Sequence, residues 1–238
     1  MSYNIWKETR LLKIFHLAVL ALVLLAFQQK DAMASRADQF LTTSTGQAFA
    51  IRPVPSVRGT RVGIWTANHP SGYIAIAGLT GICTHTTCDQ SQGIFETGFV
   101  KGTITPVDNQ LQQYAAYKNT GSGSSIVNVF GLGNLNNNSW YTFQSLFSNT
   151  AQRWEAWRGT SVVYYVNLNF TTGALAVCGA EGIGTVGQNP PLGTQCENMR
   201  YKVGSGGWTS YDYTSTQISG PYCVYRPHQY AAIGWGPC

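Results

Sequence analysis

The chain has 238 residues, enough for one substantial core. Charged residues make up 11% of it, against about 25% in ordinary soluble domains, so Ser, Thr, Asn, Gln, Gly and Tyr must cover the surface. The formal net charge is +5 and no Lys/Arg run exists, which leaves no electrostatic footprint for nucleic acid.

Lys7, Arg10 and Lys13 precede an apolar run from Ile14 to Phe27, and Ala32-Met-Ala34 fits a small-residue cleavage site before Ser35. The run falls short of the roughly 20 residues that a bilayer span needs. Residues 1–34 are therefore expected to be a secretory signal peptide, and the mature protein to be secreted, extracellular and free of the membrane. Residues 35–60 are polar, with Pro53 and Pro55, and read as an extended N-terminal arm with one edge strand near Phe49–Ile51.

Residues 61–238 read as a single domain built from short strands. Arg61–Thr66 and Tyr73–Leu79 come first, then Gly93–Lys101, where Ile94, Glu96 and Val100 share one face. Asn109–Tyr117 is the best candidate for a short helix, and Tyr114–Asn119 also reads as a strand. Ile126–Phe130, Trp140–Phe147 and Gln152–Trp157 follow, divided by Gly-, Ser- and Asn-rich turns. In Ser161–Phe170, Val162, Tyr164, Val166, Leu168 and Phe170 alternate with polar residues. Thr171-Thr-Gly173 then leads at hairpin spacing into Ala174–Ala180. Met199–Val203 and Trp208–Tyr213 complete the strands, and the tail from Ser219 is rich in Pro, Gly and Cys.

Many short strands, frequent turns and few helices predict an all-β, two-sheet antiparallel β-sandwich of jelly-roll, concanavalin-like form. Six cysteines follow the leader: Cys83, Cys88, Cys178, Cys196, Cys223 and Cys238. An even count in an exported chain reads as three disulfides. The pairing Cys83–Cys88, Cys178–Cys196 and Cys223–Cys238 is preferred, because each pair brackets a turn-rich loop and the last ties down the tail. Cys83-Thr-His85-Thr-Thr-Cys88 resembles half of a zinc site, but the other half is missing, so no metal or cofactor is expected.

Glu96, Glu155 and Glu181 stand out among the acidic residues because each falls in a strand with aromatic or apolar company. Glu181 shares a face with Leu175 and Val177, where a carboxylate is costly unless it is paired, wetted or used. Arg153, Glu155 and Trp157 alternate onto one face of their strand. With Tyr117 and Trp140 they could line a substrate groove, form a stacking platform for sugars, or fill the sandwich core.

Phe95-Glu96-Thr97-Gly98-Phe99, followed later by Cys178-Gly-Ala-Glu181-Gly, resembles the motif pair of the glutamic peptidases. Val62-Gly-Ile64 is similar to an early strand of the fungal, scytalidopepsin-like branch. That branch carries a catalytic Gln where Glu96 stands, so the resemblance is to the neprosin-like branch with two glutamates, which also has a loop like Cys83–Cys88. Gly182-Ile-Gly departs from the Trp and second acid that follow the fungal Glu. The resemblance implies a secreted endopeptidase acting on a polypeptide substrate through a Glu96/Glu181 dyad. Glu181 would be the base that activates water and Glu96 the partner of the oxyanion. Such a pair would share a proton, and activity would be highest in acid. Two other readings suit the same residues. One is a secreted lectin-like carbohydrate-binding module that holds extracellular polysaccharide through Trp and Tyr. The other is a structural extracellular surface protein, which the low charge fits equally well.

Overall fold

The computed structural model describes residues 46–67, 75–86, 92–102, 110–121, 123–183, 194–219 and 223–234. The predicted leader lies outside them, as do Cys88 and Cys238. The described residues form fourteen strands: β1 (Gly46–Thr66), β2 (Ala75–Cys83), β3 (Ile94–Lys101), β4 (Gln112–Lys118), β5 (Val127–Val129), β6 (Ser139–Ser148), β7 (Arg153–Arg158), β8 (Ser161–Val166), β9 (Gly173–Ile183), β10 (Thr194–Val203), β11 (Thr209–Ser210), β12 (Ser215–Ser219), β13 (Val224–Tyr225) and β14 (Ala232–Gly234). No helix occurs among the described residues.

The strands make one continuous hydrogen-bonded network that folds into two antiparallel layers, as the alternation predicted. Strand β1 is the seam. Its first part, up to Pro53, lies between β12 and β9. Its second part, from Gly59, lies between β6 and β10. The register with β9 breaks between Pro53 and Val57, and Ser56 has a φ of 59°. Proline has no N–H to give a ladder, so the two prolines suit this interruption and not a free arm. The segment near Phe49–Ile51, expected at an edge, is interior and paired on both sides.

The first layer runs β12-β1-β9-β2-β3-β4-β5 and the second holds β8-β7-β6-β1-β10 with β11, β14 and β13 beyond. Between them lies the larger core, including Ile82, Phe95, Phe99, Phe143, Phe147 and Trp154. Trp154 is its centre. Phe95, Phe147 and Phe170 ring it at 5.3–5.6 Å between centroids, and its indole N–H donates to Phe170 O at 2.7 Å. That bond satisfies the one polar atom of a side chain whose burial otherwise contributes several kcal/mol, on the order of 3–5. Cys178 of β9 and Cys196 of β10 are joined across the layers, both fully buried. Closing a loop of this length stabilises by about 3 kcal/mol. Cys83 and Cys223 are disulfide-bonded too.

Two further local expectations fail. Asn109–Tyr117, the candidate helix, is extended from Gln112, because Tyr114 and Ala116 pack on one face of the sheet while Ala115 and Tyr117 pack on the other. Strands β8 and β9 do not form a hairpin. Among the described residues β8 pairs only β7, whereas β9 pairs β1 and β2, so the intervening residues step from one layer to the other. Phe170 is buried in that step, and Asn169 anchors it by bonding the backbone N–H, hydroxyl and carbonyl of Thr120 at 2.9–3.0 Å.

Candidate active site

The outer face of the first layer carries a second, smaller apolar cluster, with Phe49, Ile51, Ala77, Leu79, Val100, Tyr114 and Val177 among its members. Glu96 and Glu181 emerge on this face. Glu96 of β3 stands opposite Gly81 of β2, and Glu181 of β9 stands opposite Ala77 of the same strand. Residues opposite one another in a ladder share a face, and so do alternate residues along a strand. The two acids therefore flank β2 on one side of the sheet, offset by the stretch from Ala77 to Gly81.

The local sequence makes room for them. A Cβ at Gly81 would lie 2.6 Å from Glu96 Cβ, closer than such atoms approach, so only glycine fits opposite that acid. At Gly179, two residues before Glu181, a Cβ would lie 2.0 Å from the ring of Phe49. Glycine at both positions lets Glu96 and the Phe49 ring pack directly against the neighbouring backbone.

Both acids are nearly closed off, Glu96 at 8% and Glu181 at 7% exposure. Tyr114 of β4 donates its hydroxyl proton to Glu96 Oε1 at 3.0 Å. Glu181 Oε2 is buried and has no hydrogen-bond partner among the described residues. Burial pushes the Glu96 carboxyl up to about 8. The negative charge of Glu181 adds to this, and the bond from Tyr114 works against it. Burial also raises Glu181, to about 7. The repulsion falls on whichever acid ionises second, here Glu96. Burial, then the charges of Glu96 and Glu181, hold the Tyr114 proton well above its ordinary range. The three side chains form one electrostatic unit. Gln112, two residues before Tyr114 on the same face, buries both atoms of its amide without a partner among the described residues.

The other expected site residues lie elsewhere. Phe143, Phe147, Trp154 and Ala156 point into the sandwich, which leaves Arg153, Glu155, Trp157 and Trp140 on the outer face of the second layer. The whole core separates them from Glu96 and Glu181, so they do not line a groove with that pair. Arg153 bonds Glu155 at 3.0 Å and lies over the Tyr165 ring at 3.8 Å. Trp140 is 44% exposed beside Trp65, and Trp157 is half-buried. Tyr117 lies between the layers, stacked on Tyr164 at 6.2 Å. Sequence reasoning missed the contact of Tyr114 with Glu96 and read Tyr114 as the start of a strand. Its place two residues along the face from Ala116, the partner of Glu96, depends on the β3–β4 register.

No protein-family model matches the chain, and no curated protein matches its sequence. Solved structures do match. Scytalido-glutamic peptidase bound to a peptide-based transition-state analogue superposes with a TM-score of 0.51 at 10% identity, covering 82% of this chain and 99% of that one. The same peptidase with a transition-state analogue inhibitor gives 0.51 at 9% identity, covering 82% and 98%. SCP-B, a member of the eqolisin family of peptidases in complex with the tripeptide Ala-Ile-His, gives 0.48 at 12%, covering 82% and 99%. This chain shares the fold of the scytalido-glutamic peptidase.

Proposed function

We propose that this chain is an exported glutamic endopeptidase of the two-glutamate kind, hydrolysing polypeptides with Glu181 as base and Glu96 as acid. The observation that carries the reading is the placement of two buried acids on one face of the sheet, each raised by burial and one repelled by the other. Glu181, whose buried Oε2 has no hydrogen-bond partner among the described residues, is the natural acceptor for a proton from water. Glu96, raised by burial and by the charge of Glu181 and held by the Tyr114 hydroxyl, is the member left to donate.

In the proposed cycle, a water oxygen bonds to the peptide carbonyl carbon while Glu181 takes one of its protons. Glu96 donates a hydrogen bond to the carbonyl oxygen as that oxygen becomes negative. The C–N bond then breaks, and the leaving nitrogen takes a proton from the pair. One proton remains on the pair at the end, as at the start. The working range lies between its two apparent values, so burial moves the expected optimum up from the about pH 3 to 5 of exposed carboxyls toward neutrality.

The test is incubation of the mature chain with an unfolded protein from pH 3 to pH 9, with product masses recorded. Glu181→Gln is expected to lose cleavage by at least about a hundredfold, and Glu96→Ala similarly, the usual scale for removing a general acid or base. Undiminished cleavage in both variants would remove the pair from the chemistry.

A further inference from the structure

We infer that Tyr114 is a positioning residue of the pair: its hydroxyl engages Glu96 Oε1 and so places the acid's own proton on Oε2. This rests on the peptidase reading above. A protonated carboxyl can carry hydrogen on either oxygen, and only one of the two orientations aims it at a given substrate atom. A phenol that donates to Oε1 at 3.0 Å removes that freedom.

Tyr114 is built to be immobile. It is fully buried, stands opposite Gly98, and its ring lies 6.5 Å from that of Phe130. Its carbonyl accepts the Thr97 hydroxyl at 2.7 Å, and Thr97 in turn accepts from Gln113 Nε2 at 3.2 Å, which pins β4 to β3 at this point. Its proton is held far above working pH, so it acts as a donor throughout. The groups facing Glu96 are few among the described residues. β9 presents Glu181, and β4 presents Tyr114 with Lys118 farther along the same face. β2 presents only Ala77, Leu79, Gly81 and the disulfide-bonded Cys83.

The donor favours the ionised form of Glu96, so losing it should raise the pKa of that acid. Tyr114→Phe keeps the ring and removes the bond. It is expected to lower kcat about tenfold with KM within about twofold, and to move the basic limb of the kcat–pH profile up by about one unit. A fluorinated tyrosine at 114, a stronger donor of nearly the same shape, should move that limb down. The infrared band of the protonated carboxyl, followed against pH in a Glu181→Gln background, reports Glu96 without turnover and should shift upward in Tyr114→Phe. If the wild-type chain cleaves nothing at any pH, the peptidase reading fails and takes this role with it. If the wild type cleaves but kcat, limb and infrared titration stay put in Tyr114→Phe, the role of Tyr114 alone is overturned.

Discussion

Glu96 and Glu181 are held where charge is disfavoured, and the fold carries the consequence. An exposed glutamate has a pKa of about 4.3, whereas burial pushes Glu96 up to about 8 and Glu181 up to about 7. Below the unfolded value of about 4.3 both states are protonated and the stability contributed by the pair is fully present. As pH rises from there, the unfolded chain loses protons that the folded chain retains, so stability falls until the folded values are passed. Thermal unfolding should therefore show the Glu96→Gln and Glu181→Gln chains gaining on wild type between pH 5 and pH 8, by at least a few degrees. A constant difference across that range would contradict the burial argument. The misfit that betrays these acids is legible in the sequence: Glu181 follows Leu175 and Val177 on an alternating face, and Glu96 sits between Ile94 and Val100. Their meeting is not legible, because it depends on the register of each with β2.

At the scale of the strands, alternation identifies two faces but does not say which one looks inward. That is why Arg153, Glu155 and Trp157 could be grouped correctly with one another and still be expected at the wrong site. Their strand belongs to the layer opposite β3 and β9. The Ser161–Ala180 segment misleads for a related reason. A short turn-rich link can close a hairpin or cross a sandwich, and the pairing partners decide which. Strand β2 has the most exacting task, since it separates the two acids. Gly81→Ala would drive a methyl into Glu96 Cβ and toward Phe95 O, 3.0 Å away. It should destabilise by about 1–3 kcal/mol, as overpacking does, and lower kcat/KM more than that loss of folded protein explains. Denaturant midpoints and kcat/KM measured on the folded fraction would check this, and an unaltered kcat/KM would show that Glu96 tolerates displacement.

For the molecule as a whole, the sandwich and its disulfide-rich character follow from composition and strand spacing, whereas the role of residues 46–60 does not. Pro53 and Pro55 look like the marks of a loose arm. They sit instead where the central strand changes layers, beside the buried Val54 and Val57. Because β1 pairs with β9 and β12 on one side of that corner and with β6 and β10 on the other, both layers should unfold in one transition. Amide exchange in β2 and in β6 should then give the same opening free energy, and separate values would show two independent units.

The shared strand also makes the domain indivisible in a practical sense. A fragment that starts near residue 56 would strip β9 and β12 of the strand between them, and one that starts beyond Thr66 would take it from β6 and β10 as well. Either piece would expose raw ladder edges that invite other chains to add on. Truncated forms of this protein are therefore expected to assemble with one another sooner than to persist as half-sandwiches.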